Sequence, residues 1–235
     1  MQSKELRISV IIPTLQEQDY IGTTLSRLRK VKPPVEVIVA DGGSQDRTVE
    51  VARRYTDKVY LVNKHGIAAG RNYGAQKAKG DVLLFMDADV EFPATFPEKV
   101  VQTFKDPRIV GATCNIMPVH PEIGATSFFL FYNLLIRIIS RFKPHSRGEF
   151  LAVRKTAFKK ANGFNEAMPC LEDHDLANRL SHFGRFVFIS DLTVHESLRR
   201  FKKLGLRKVV ATWIVDYISL ILRGKPLSSE WKPVR

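Results

Sequence analysis

Three stretches constrain this chain more than anything else in it: RISVIIP at 7–13, VEVIVA at 35–40 and VLLFM at 82–86. Each is short and almost unbrokenly apolar, and each runs into a polar turn. Helical patterns lie between and after them, at about 20–31, from about Arg47 onward and across about 68–78, with a short strand near 58–62. Apolar strands alternating with helices demand a sheet covered on both faces, which means mostly parallel strands joined by crossover helices. The expected fold is therefore α/β, a Rossmann-like sheet. Such sheets bind ligands outside the carboxyl ends of their strands. The polar groups at those ends are Pro13-Thr14, Asp41 and the pair Asp87/Asp89, and they are expected to converge on one crevice.

The chain has 235 residues, enough for one sizeable core. Its 44% hydrophobic and 26% charged content fits a globular protein rather than a disordered one. We expect one catalytic unit over 1–225, with halves at 1–115 and 116–200, a helical segment at 201–225 and a polar tail at 226–235. The polar start, Met1 to Arg7, gives no expectation of a signal peptide, and no apolar run reaches the roughly 18 residues of a membrane span. Cys114 and Cys170 fit no metal spacing and read as buried, reduced thiols of a cytoplasmic protein.

The second half is less regular. A strand is expected near 109–114, an apolar helix from about Ser127 to Arg141, and a strand at GEFLAV. Helices follow at about 155–161 and in LEDHDLANRL, then a strand at FVFI. One long helix is expected over about 204–223, stopped by Gly224 and Pro226. Charge is uneven: residues 141–160 carry seven basic groups and one acid, and residues 197–235 carry ten and two, within a net of +13. Such a balance points to an anionic partner, either phosphates, acidic lipid headgroups or nucleic acid. Its plainer reading is a solvated basic face.

Asp87 and Asp89 end a buried strand one residue apart. At a strand end, two carboxylates can chelate a hard cation, Mg²⁺ or Mn²⁺, which typically takes one or two carboxylates plus substrate phosphates. Alone, Asp-x-Asp is a weak motif. Its position at the ligand-binding edge strengthens it.

With that context the sequence resembles the family 2 glycosyltransferases of the GT-A fold. The resemblance runs in order through VIIPTLQE, ADGGSQDRT, GIAAGRNYGAQKAKGDVLLFMDAD, GEFLAVRKTAFKKANGFNE and LEDHDL. It implies that Thr14 and Asp41 hold the base and ribose of a nucleotide sugar and that Arg71 lines the same pocket. Asp87 and Asp89 would meet ribose and metal, with Asp89 the closer ligand. Asp173 would be the catalytic base beside Glu172, and His195 sits where related enzymes place a further metal ligand.

Chemistry asks for the same residue types. A diphosphate leaves well only when its charge is neutralised, and an acceptor hydroxyl needs a base. One base opposite the leaving group implies inversion. Arg199 and Arg200 could close over the diphosphate. Plainer readings stand beside these: Asp41 as a turn cap, Arg71 as a surface residue, the acids at 172, 173 and 175 as helix-terminus charges, His195 as an interior histidine, Arg199/Arg200 as basic surface. Asn72 is read as a loop buttress and left out of the site.

Two helices are unusually apolar. In SFFLFYNLLIRIISRFK, Asn133, Arg137 and Arg141 form a narrow polar stripe; in the C-terminal helix the stripe is Lys208, Thr212, Asp216, Ser219 and Arg223. Burial in the core or between subunits is one reading. The other is an interfacial helix pair on an anionic membrane surface, peripheral to the inner face of the cell membrane, suiting a lipid-linked acceptor. The expected activity is a metal-dependent transfer from a UDP- or GDP-sugar to an acceptor hydroxyl or lipid phosphate. The rivals are a nucleotidyltransferase, which would want a Gly-rich basic loop after the first strand, and a non-catalytic module binding membrane or nucleic acid. The module leaves the carboxylates without a role, so nucleic acid is an unlikely partner.

Overall fold

The computed structural model describes residues 5–140 and 142–229. The elements, in chain order, are β1 (Ile8–Thr14), α1 (Ile21–Leu28), β2 (Glu36–Asp41), α2 (Thr48–Arg53), β3 (Val59–Leu61), α3 (Ile67–Lys77), β4 (Val82–Met86), β5 (Val90–Glu91), α4 (Phe96–Phe104) and β6 (Ile109–Pro118). They continue with α5 (Ile123–Ile139), β7 (Phe150–Arg154), α6 (Lys155–Lys160), α7 (Glu172–Leu180), β8 (Arg185–Glu196), α8 (Arg199–Leu204) and α9 (Leu206–Arg223).

The strands form one eight-stranded sheet in the order β3-β2-β1-β4-β7-β6-β8-β5. The first half is parallel throughout, with Thr14 paired to Asp41 at the carboxyl ends of β1 and β2. The second half is mixed: β7 runs antiparallel to both β4 and β6, β8 runs parallel to β6, and β5 is antiparallel to β8. Alternate residues of each strand feed two cores, as the pleat requires. Val10, Ile12, Leu84 and Met86 pack with Leu25, Phe96, Val100 and Phe129 on one face; Ile11, Leu83, Phe85 and Val153 pack with Ala75, Phe158, Leu176 and Leu180 on the other. Gly74 shows how closely α3 is pressed to β1, since a Cβ there would meet Ile11 Cγ2 at 2.4 Å.

Two elements differ from expectation. The helix expected over about 204–223 is α9, and a further short helix, α8, precedes it, set off by Gly205 at φ +85°. The FVFI strand extends to Glu196. Asn115 Nδ2, bonded to the carbonyls of Ser190 and Leu192, holds the irregularity that lets β8 continue along β6. The polar stripes divide: Arg137, Lys208, Thr212 and Arg223 are exposed, whereas Asn133, Asp216 and Ser219 are buried. Asn133 is buried and exchanges hydrogen bonds with the backbone N and O of Ile116, at 3.1 and 2.8 Å, while Asp216 accepts from the N–H and Oγ of Ser228. Beside exposed polar residues such as Arg137, Lys208 and Arg223, a broad apolar surface is exposed: Leu130, Phe131, Leu134 and Ile138 on α5, and Ile214, Ile218, Ile221 and Leu222 on α9. Arg141, third of the α5 stripe, lies outside the described residues. Among the described residues no helix is long and apolar enough to cross a membrane.

Candidate active site

Two cavities meet at Asp87, beyond the carboxyl end of β4. One, of about 670 Å³, is lined by Pro13, Thr14, Gly42, Asp89, Glu196, Arg199 and Arg200 among others. The other, of about 500 Å³, is lined by Arg71, Asp173 and Arg147 at its inner end and by side chains of α5 and α9 beyond. Both include Asp87 and Glu149 in their walls.

In the first cavity the β1 and β2 ends are tightly organised. Asp41 is fully buried, accepting from Thr14 Oγ1 at 2.9 Å and Ser44 Oγ at 2.6 Å, and from the N–H groups of Gly43 and Ser44. Its carboxylate is spent on the turn, so the wall itself is made by its neighbours Ala40 and Gly42. Asp87 and Asp89 are crowded by acids. Burial first, then the charges of Glu149 and Glu17, push Asp87 above the usual carboxylate range against the pull of Arg71. Burial pushes Asp89 up to about 7, with Asp87 and Glu17 adding to it and Arg199 opposing. Arg199 donates to Glu17 through Nη1 and Nη2 at 2.7 and 2.8 Å, reaches Asp89 through Nε at 3.0 Å, and lies over Tyr20. Arg200 lines the same cavity.

Arg71 joins the two cavities. It is 1% exposed, and its Nη1 donates to Glu172 at 2.6 Å while Nη2 reaches Asp87 at 3.2 Å and the Gly148 carbonyl at 3.1 Å. The surface reading of Arg71 is thereby excluded. Glu172 and Asp173 open α7, preceded by Leu171 in the left-handed region at φ 59°. Their environments separate them. Burial raises Glu172 to about 7 despite Arg71. Burial also works against ionisation of Asp173, but His174 and Arg71 outweigh it, and the carboxyl lies below its ordinary value. Two carboxyls pushed apart in this way suit different roles. Asp173 Oδ1 accepts from His174 N at 2.9 Å and faces His174 Nδ1 at 3.0 Å; His174 Nε2 in turn meets His145 Nε2 at 2.9 Å.

His195 is not brought to the carboxylates. Strand alternation turns Glu196 toward the cavity and His195 to the opposite face, paired with Glu91 and Met117. Among the described residues no three His, Cys, Asp or Glu side chains gather as a ready metal cage. Asp87 and Asp89 are two oxygen donors in a crevice with excess buried acid, a donor set that fits a hard cation completed by phosphate. Asn72 buttresses the loop after α6, bonding Phe164 N, Phe164 O and Glu166.

Five wall residues escaped the sequence reading: Glu17, His145, Arg147, Glu149 and Glu196. Glu149 and Glu196 hydrogen-bond each other, and burial with Glu149's charge drives Glu196 well above its usual range. The period-two alternation of β8 was the signal that would have preferred Glu196 to His195.

The architecture is that of the GT-A fold. It superposes on the Pyrobaculum calidifontis mannosyltransferase PcManGT, solved with GDP-Man and Mn²⁺, with a TM-score of 0.76 at 23% identity, covering 94% of this chain and 65% of that one. Staphylococcus aureus TarS, in complex with UDP-GlcNAc, matches with a TM-score of 0.66 at 21% identity over 82% of this chain and 58% of that one. The chain belongs to glycosyl transferase family 2, whose profile matches residues 9–163. A Haemophilus influenzae protein described as an uncharacterized glycosyltransferase is 28% identical over 191 residues, 74% of this chain and 61% of the relative. The chain spans less than two thirds of the length of such relatives.

Proposed function

We propose that this chain transfers a sugar from a nucleoside diphosphate sugar, UDP- or GDP-linked, to an acceptor oxygen with inversion at the anomeric carbon. The observation that carries the reading is Arg71, one buried guanidinium tying Asp87 of the first cavity to Glu172 beside Asp173 in the second. Donor and acceptor then meet where the cavities join. The nucleoside lies against Thr14 and Gly42, within the turn that Asp41 holds. Asp87 and Asp89 are the residues that would hold Mn²⁺ or Mg²⁺, which when bound neutralises diphosphate charge. Arg199 and Arg200 flank the same site.

The acceptor oxygen attacks the anomeric carbon as the bond to the diphosphate oxygen breaks and its electron pair leaves with the diphosphate. Where the acceptor is a hydroxyl, Asp173 takes its proton. A carboxylate held below its ordinary value is ionised at neutral pH and ready for that role. Glu172 orients the site through Arg71.

Thermal denaturation against UDP, GDP, ADP, CDP and dTDP, each with Mn²⁺, Mg²⁺ or EDTA, tests the donor half. The expected result is stabilisation by one diphosphate that needs the metal and is lost in Asp89→Ala. No stabilisation by any of them overturns the reading.

A further inference from the structure

Asp173 does not stand alone in the wall of the second cavity. Its Oδ1 accepts from His174 N at 2.9 Å and faces His174 Nδ1 at 3.0 Å, and His174 Nε2 lies 2.9 Å from His145 Nε2. Among the described residues both donors meet Oδ1, so Oδ2 is the oxygen left for an acceptor. All three side chains are buried. The two rings meet edge-on with centroids 4.2 Å apart, and Tyr217 of α9 lies against both, at 5.1 Å from His145 and 5.7 Å from His174.

The chemistry of these groups fixes where the protons sit. An ionised carboxylate only accepts, so His174 carries its proton on Nδ1. A neutral His174 then accepts at Nε2, and His145 donates from its own Nε2. That leaves His145 Nδ1 as an acceptor at the cavity wall, and among the described residues it has no partner. Burial first, then the charge of a protonated His174, push His145 down to about 3, so His145 stays neutral and the order of donors holds. Glu172 shows what Asp173 would be without this support. It has Arg71 at 2.6 Å and is still raised to about 7. Asp173, buried beside it and paired with His174, lies below its ordinary value. The other titratable groups that feel Asp173 are Arg71 from α3, Glu172 from α7, Tyr132 from α5, Glu149 just before β7, and His145 and Cys170 from the connecting segments, and Arg71 is the cation among them.

We propose that His174 and His145 are positioning residues for the base: His174 holds the Asp173 carboxylate by Oδ1 and leaves Oδ2 to the acceptor, and His145 fixes the tautomer with which His174 does so. This rests on the reading of Asp173 as the base of a sugar-transfer site. Neither ring touches the reacting atoms. Each acts through the group before it in the chain.

The first measurement needs no donor and no metal. Long-range proton–nitrogen correlation NMR of the labelled protein, near pH 8, should show His174 protonated at Nδ1 and His145 at Nε2, two of six histidines, each assigned from its own substitution. The opposite tautomers overturn the proposal. The second measurement compares two amides. Asn Nδ2 falls near the place of His Nδ1, and Gln Nε2 near that of His Nε2. His174→Asn therefore keeps the donor to Asp173, and His174→Gln keeps only the link to His145. The kinetic readout is nucleoside diphosphate released into water from UDP-GlcNAc or GDP-mannose. His174→Gln should lower kcat about 10–100-fold with KM nearly unchanged. The loss should deepen as pH falls from about 8 to about 5.5, because a carboxyl that has lost its donor takes up a proton at higher pH. His174→Asn should regain most of the activity. His145→Phe, which keeps a ring against Tyr217, should lose about threefold. A loss in His174→Gln that is equal at every pH, a loss seen in KM, or equal activity in the Asn and Gln variants overturns the proposal, and an unchanged kcat in His145→Phe removes His145 from it. A chain that shows the expected tautomers but binds no nucleoside diphosphate overturns the transferase reading, and one that binds the nucleotide with the opposite tautomers overturns this inference alone.

Discussion

Arg71→Met removes the cation between two buried acids while nearly preserving side-chain volume. Glu172 is raised from 4.5 to about 7 even with Arg71 at 2.6 Å, a folded-state cost of about 3 kcal/mol at 1.36 kcal/mol per unit once pH exceeds both values. Its sign follows from the direction of the shift. A carboxyl raised on folding costs nothing below its unfolded value, and the cost grows as pH climbs from about 4.5 through the folded value. Without Arg71 the folded value moves higher still, so the added cost falls on the alkaline side. Breaking a buried pair by removing one partner typically costs about 3–5 kcal/mol. Asp87, whose side chain is 33% exposed, adds the smaller share. Urea unfolding followed by circular dichroism should therefore give a loss of about 3–5 kcal/mol near pH 8.5, shrinking to about 1 kcal/mol near pH 5, where Glu172 takes up a proton. A loss that is flat across this range, or larger in acid, would refute the idea that Arg71 acts by neutralising these carboxyls.

Other expectations follow from single residues. Asp173→Asn should lower kcat on a hydroxyl acceptor by about 10²–10⁴-fold in a sugar-transfer assay, with nucleotide affinity unchanged in calorimetry. Chelation with EDTA should abolish both transfer and nucleotide affinity, and Mn²⁺ should restore them in the native protein but not in Asp89→Ala. Asn133→Ala strips the backbone of Ile116 of both its side-chain partners and should cost about 1–3 kcal/mol in urea unfolding. Gly74→Ala, which places a methyl 2.4 Å from Ile11 Cγ2, should cost about 1–3 kcal/mol in the same measurement.

The parallel half of the sheet was legible because burial on both faces leaves nearly unbroken apolar runs in β1, β2 and β4. The crevice followed from strand order, and Thr14, Asp41, Asp87 and Asp89 do come to strand ends on one side. The helix over 96–104 went unread, although Pro97 at its start and its apolar spacing at Phe96, Val100 and Phe104 carry a helical pattern. Asn133 and Asp216 are the inward members of their stripes, each satisfying backbone elsewhere in the chain, while Arg137, Lys208, Thr212 and Arg223 of the same stripes are exposed. Periodicity locates a stripe and does not say which way it points. His145 and Arg147 were hidden inside a basic segment read only as surface charge, since burial of an arginine depends on partners distant in sequence.

Local charge at the site runs opposite to that of the chain. Glu17, Asp87, Asp89, Glu149, Glu172, Asp173 and Glu196 are gathered around Arg71, Arg147, Arg199 and Arg200, seven acids against four guanidiniums, in a chain whose net charge is +13. The basic excess therefore lies elsewhere, much of it around α5, α8 and α9. The acid excess makes the site itself a poor host for a diphosphate alone, and burial, with Asp87 and Glu17 adding to it, holds Asp89 near 7. A divalent cation held by Asp87 and Asp89 would resolve both conflicts at once, by letting Asp89 ionise and by giving the diphosphate a positive partner. On this argument metal and nucleotide bind with mutual dependence. Each should bind weakly without the other, and removal of Asp89 should weaken the nucleotide only when metal is present.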